Sequence, residues 1–112
     1  MSLEEQITEI KNAFSSTHIT SEREGGCLFL RLPSFFSDPE NPDIKLDCLF
    51  ACDPHLGYPT RLWFPKVIKT TEPRNWNSVD IYLLSGIWNA FSFNAKGNTL
   101  LEKLLSHYQG AK

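Results

Sequence analysis

The chain has 112 residues, 41% of them hydrophobic and 21% charged, with 11 Lys and Arg set against 13 Asp and Glu for a net charge of −2. A chain of this size forms one domain that hides about two-thirds of its unfolded surface, enough for a core without disulfides or metal. Its cations are scattered along the sequence, which excludes an obvious nucleic-acid footprint, and no window approaches the roughly 20 apolar residues of a membrane span.

The start, Met1-Ser2-Leu3-Glu4-Glu5, is acidic and lacks the layout of a signal peptide. Three cysteines, an odd number, then suggest reduced thiols and a cytoplasmic location. Residues 2–14 read as a helix, with Leu3, Ile7, Ile10 and Phe14 on one face and Ser2 with Glu5 as a capping box. His18 to Leu32 reads as a hairpin that turns at Glu24-Gly25-Gly26 into the strand Cys27–Leu32. Residues 33–43 hold Pro33, Pro39 and Pro42 among Asp, Asn and Ser, which is loop composition.

From Ile44 to Cys52 the pattern alternates. Ile44, Leu46, Cys48 and Phe50 fall on one face and Lys45, Asp47 and Leu49 on the other, as in a half-buried strand. Asp53 to Gly57 turns the chain, and Arg61 to Ile68 reads as a further strand carrying Trp63 and Phe64. Thr70 to Ser78 is polar and irregular. Ile81 to Ile87 is apolar and short, which suits either a strand or a buried helical turn. Asn94 to Asn98 reads as a loop. A second capping box, Thr99 with Glu102, opens a helix to about Tyr108, with Leu101, Leu104, Leu105 and Tyr108 as its apolar face and Gly110 as its stop. The expected class is α+β: an N-terminal helix, an antiparallel meander of three or four strands with helices on one face, and a C-terminal helix.

Tyr58-Pro59, Pro65-Lys66-Val67, the run Ile81-Tyr82-Leu83, Trp88 and the helix from Thr99 occur in an order that resembles the ubiquitin-conjugating (UBC-like) superfamily, including its RWD branch. In that family a Tyr-Pro-x-x-Pro-Pro loop, a His-Pro-Asn motif, an Ile-Cys-Leu active-site run and a Trp-Pro pair follow one another. The likeness covers residues 44–108, within a single domain spanning 1–112. Pro73 stands nine residues before Tyr82, as the family's motif proline stands before its cysteine, but its neighbours are Glu72 and Arg74. The resemblance thus implies a member with Tyr82 at the cysteine position and no asparagine to support the oxyanion. A phenol offers no labile thioester, and transfer also needs the missing donor.

The expectation that follows is a non-catalytic protein that binds a ubiquitin-like protein or a conjugation enzyme in such a pathway. No cofactor, nucleic acid or membrane is expected, and a homodimer is allowed. Two rivals stand beside it: an active divergent conjugating enzyme using Cys48 or Cys52, and a small α+β chaperone or adaptor that dimerises.

Cys48, Cys52 and His55 have a spacing that could suggest zinc, but a structural site needs four ligands and no second pair exists. A Cys–His pair drawn from Cys27, Cys48 or Cys52 with His18, His55 or His107 competes with the plainer role of buried cysteine as a small apolar residue. Trp76 lies in polar Arg74-Asn75-Trp76-Asn77 and is either an interaction hot spot or the anchor that folds a long loop onto the sheet. The expected partner contact is Arg74 and Trp76 with Tyr58 and Tyr82. As a hot spot, Trp76→Ala would weaken binding and leave the melting temperature nearly unchanged.

Overall fold

The computed structural model describes residues 1–112. Its elements are α1 (Leu3–Ala13), β1 (Thr20–Glu24), β2 (Cys27–Asp38), β3 (Asn41–Ala51), β4 (Arg61–Trp63), β5 (Ser78–Leu83), β6 (Gly86–Ala90) and α2 (Leu100–Gly110). β1 to β4 form one antiparallel sheet in the order β1-β2-β3-β4, and β5 with β6 forms a separate hairpin. The α+β class, the helix at each end and the meander are as expected. No helix is long and apolar enough to cross a membrane.

Both helices start where their caps dictate. Ser2 Oγ accepts the Glu5 N–H at 3.1 Å while Glu5 returns a carboxylate oxygen to the Ser2 N–H at 3.0 Å. Thr99 and Glu102 repeat the exchange at 3.2 and 3.1 Å. Each pair satisfies amides that the first helical turn leaves without partners. The Gly25-Gly26 turn between β1 and β2 has φ of +58° and +80°, a left-handed pair that glycine adopts without steric cost and that matches strand twist.

The expected loop at 33–43 is instead strand. β2 continues to Asp38 and β3 begins at Asn41, joined by the two-residue turn Pro39-Glu40, with Asp38 Oδ1 accepting the Glu40 N–H at 3.0 Å. Pro33 is absorbed by a bulge. The pairing slips between Leu32 and Phe36, Ser34 takes φ +51°, and the Ser34 N–H donates to Asp47 Oδ1 at 2.8 Å instead of to the ladder. A bulge is where a long strand tolerates proline. β4 is shorter than expected, ending at Trp63 ahead of Pro65; Phe64 goes on to exchange backbone bonds with Asn89 at 2.7 and 2.8 Å, tying the hairpin to the sheet.

β3 is buried on both faces at its C-terminal end, which corrects the half-buried strand. Leu46, Cys48, Phe50 and Cys52 join Leu30, Leu32, Phe36 and Leu62 in the larger core, closed by Ile10 of α1 and by Leu100 and Leu104 of α2. Leu49 and Ala51 face the other way into a smaller core with Phe29, Trp63, Trp88 and Ala90, covered by the hairpin. Ile44, at the strand's beginning, is exposed. The layers are therefore helices, sheet and hairpin. On α2 the buried stripe is Leu100, Leu104, His107 and Gly110, so Leu105 faces solvent, because His107 finds a polar partner inside.

Candidate functional site

Tyr58 closes a tight turn. His55 and Tyr58 exchange backbone bonds at 2.8 and 3.1 Å around Leu56 and Gly57, both at positive φ. The Tyr58 hydroxyl donates to Ser92 Oγ at 2.8 Å and accepts from Asn77 Nδ2 at 2.7 Å, and the ring lies over the Arg61 guanidinium. The Ser92 hydrogen bond holds the phenol below its usual pKa, helped by Asn77 and by the Arg61 charge. Arg61 is not among the residues the sequence pattern marks for a partner contact. Its side chain is 2% exposed, donates from Nη1 to Ser78 Oγ at 2.9 Å and from Nη2 to Asn77 Oδ1, and lies between the Tyr58 and Trp63 rings. No carboxylate pairs with it; the salt bridges join Arg23 to Asp53, Arg31 to Glu22, Lys66 to Asp38 and Arg74 to Glu72. Burial pushes its pKa down. Its signal was its place two residues before Trp63, which puts the two on one face of a short strand.

Trp76 packs edge-on against Phe91 and Phe64, with centroids 5.0 and 5.9 Å away, at the border of the larger core. It anchors the 70–77 segment to the fold and is half-buried there. Arg74 lies over Phe93 and Phe91, and its Nε donates to the Gly110 carbonyl at 3.1 Å. A Cβ on Gly110 would lie 2.6 Å from the Phe93 ring, so glycine here admits an aromatic to the helix. It is the last helical residue, with Ala111 as the cap, and not the expected stop beyond the helix. Residues 91–93 thus gather Tyr58, Arg74 and Trp76 into one neighbourhood through Ser92, Phe93 and Phe91.

Tyr82 stands apart from them on the outer face of the hairpin. It is 66% exposed and pairs across the strands with Ile87, 49% exposed, with Val79 also open to solvent. The inner face, Ile81 and Trp88, packs on the sheet. The turn is Leu84-Ser85, with φ of +48° and +64°, and the ends of the sheet clasp it. The Leu84 N–H donates to Glu24 Oε2 at 2.7 Å, and its carbonyl accepts from Arg31 Nη2 at 2.8 Å. Arg31 in turn holds Glu22 at 3.1 Å. An apolar, aromatic face is therefore presented on a hairpin fixed at its tip and its base.

All three cysteines are free and buried. Burial pushes the Cys48 thiol far up, lifts Cys52 to about 12, and raises Cys27. Thiols held protonated in this way are poor nucleophiles. Cys48 and Cys52 lie in the core beneath the helices, whereas His55 packs on Phe29 and Trp63 on the opposite side of the sheet, so the zinc-like spacing does not converge. His107 is buried with Nε2 3.0 Å from Thr60 Oγ1, and burial with the nearby Arg61 charge lowers its pKa to about 4.

Comparisons with known protein families, curated proteins and solved structures find no match for this chain.

Proposed function

We propose that the chain is a non-catalytic, UBC/RWD-like binding module that engages a ubiquitin-like protein or a conjugation enzyme through the outer face of the β5–β6 hairpin. The observation that carries this reading is Tyr82, which the resemblance aligns with the catalytic cysteine and which stands exposed beside Ile87 on a clasped hairpin. The order of helix, meander, hairpin and helix supports it. Arg74, which the resemblance sets where the family has its oxyanion asparagine, lies away from Tyr82 and gives its Nε to the Gly110 carbonyl, so it offers no donor beside Tyr82. Burial of Cys48 and Cys52 weighs against the divergent-enzyme alternative.

The test has a chemical arm and a binding arm. Incubation with a ubiquitin-like protein, its activating enzyme and ATP should give no thiol-sensitive adduct. Titration with a ubiquitin-like protein or a conjugation enzyme should give a saturable one-to-one complex. Tyr82→Ala with Ile87→Asp should weaken that complex about tenfold or more with only a small change in melting temperature, since Tyr82 is mostly and Ile87 about half exposed. An adduct abolished by one cysteine-to-alanine change, or binding indifferent to the hairpin pair, would overturn the proposal.

A further inference from the structure

Four of the chain's seven lysines, remote in sequence, meet at one end of the fold. There, the end of β2 and the C-terminal turn of α2 enclose a groove of about 290 Å³. Phe36, Pro39 and Tyr108 form its apolar wall, with Phe36, almost wholly buried, backing the Tyr108 ring edge to face at 5.3 Å. Lys69 and Lys112 line it as well, Lys112 with its ammonium 4.8 Å from the Tyr108 ring centroid. Ser37, also in the lining, accepts from Lys45 Nζ, and Lys66 lies next door on Asp38 at 2.5 Å. Only Lys66 of the four has a carboxylate partner.

We propose that this groove binds an acidic peptide segment with one aromatic or large aliphatic anchor. The anchor would seat against Tyr108, Phe36 and Pro39, and the flanking carboxylates would meet Lys69, Lys112 and Lys45. The argument is charge complementarity. A chain of net charge −2 gathers Lys45, Lys69 and Lys112, none paired to a side-chain carboxylate, around an apolar concavity. The Lys112 main-chain oxygen is already held by the Thr71 N–H at 3.2 Å. In that concavity an acidic segment is drawn by the field and held by burial of its anchor. The hydroxyls of Ser37 and Thr71 add donors at the rim. This surface belongs to the helix side of the sheet and is independent of the hairpin face, so either can fail without the other.

The probe is a fluorescein-labelled peptide with one Trp among Glu and Asp, titrated with the full chain at low salt and read by fluorescence polarisation. Saturable binding is expected, about tenfold weaker for Lys69→Glu/Lys112→Glu and about tenfold weaker when the peptide's Trp becomes Ala. Raising NaCl to about 0.3 M should weaken it further, because rim charges are screened. Lys69→Gln/Lys112→Gln, which removes charge without reversing it, should fall between wild type and the Glu pair, with circular dichroism unchanged in both. No saturation at about 1 mM protein, or equal affinity for wild type and the Glu pair, would overturn the proposal. So would tighter binding of a single-stranded oligonucleotide, or a salt-sensitive self-association lost in the Glu pair, which would assign the groove to nucleic acid or to a second copy.

Discussion

The Tyr58 ring centroid lies 4.2 Å from the guanidinium carbon of Arg61, and this aromatic cover stands where a carboxylate would be expected. A guanidinium buried without an anion is costly, and here two rings and the oxygens of Asn77 and Ser78 offset part of that cost while Nε has no hydrogen-bond partner.

Replacing that charge by an apolar side chain of similar length should therefore be tolerated. Arg61→Met is expected to unfold within about 1 kcal/mol of wild type, whereas Arg61→Ala, which leaves a void, should lose about 3 kcal/mol. Urea titrations of the two variants decide the matter. A Met variant as unstable as the Ala variant would show that the guanidinium is a net stabiliser.

His107 makes stability fall in mild acid. Its folded pKa of about 4 lies below the ordinary 6.5, so the unfolded chain binds the extra proton first. The contribution is complete above pH 6.5 and is lost as pH falls from 6.5 to 4, a change of about 3 kcal/mol. His55, lowered by its own burial and by Arg61, acts in the same direction. Urea midpoints between pH 7 and 4 should drop for the wild type and flatten in His107→Gln; equal slopes would refute the assignment.

Trp76 bears on stability, and the expectation of an unchanged melting temperature is revised accordingly. With its ring against Phe91 and Phe64, Trp76→Ala should cost about 2 kcal/mol and Trp76→Phe less than about 1 kcal/mol. Calorimetry of both variants checks this, and an Ala variant that melts with the wild type would restore the hot-spot role alone.

Ser85 holds φ +64° in a two-residue turn and is exposed. Ser85→Gly should stabilise the protein by about 0.5–1 kcal/mol, the relief of left-handed backbone exceeding the added freedom of the unfolded chain. Ser85→Val should do the opposite. If both variants shift the midpoint the same way, turn geometry is not the cause.

The legible features were local. The two capping boxes and the Gly25-Gly26 turn need only neighbours a few residues apart. The 44–50 alternation reports the buried face only at Leu46, Cys48 and Phe50, since Ile44 is exposed and Leu49 enters the second core. Strand at 33–43 was hidden because proline weakens every local strand signal, while the bulge that admits Pro33 depends on Asp47 from the next strand. The β5–β6 turn was hidden because Leu84-Ser85 lacks the glycine or asparagine that marks such turns, its backbone being held by Glu24 and Arg31 from far along the chain. The lysines of the groove look dispersed in sequence because three separate segments bring them together. Of the partner residues, Tyr58, Arg74 and Trp76 do share a neighbourhood, but nothing local separates Tyr82 from them, and the one local cue to Arg61 is its place two residues before Trp63.

β3 is a wall shared by two cores, so losing the packing on one of its faces leaves the other core's residues in contact. The hairpin's core holds nine buried residues against seventeen on the helix side, and beyond its tip and the Phe64–Asn89 bridge few backbone bonds hold it to the sheet. Amide protons of β5 and β6 should then exchange with solvent through a local detachment of lower free energy than the one that releases β2 and β3. The layer expected to lift first is the one that carries Tyr82, and anything seated across both the hairpin and the sheet would slow that exchange.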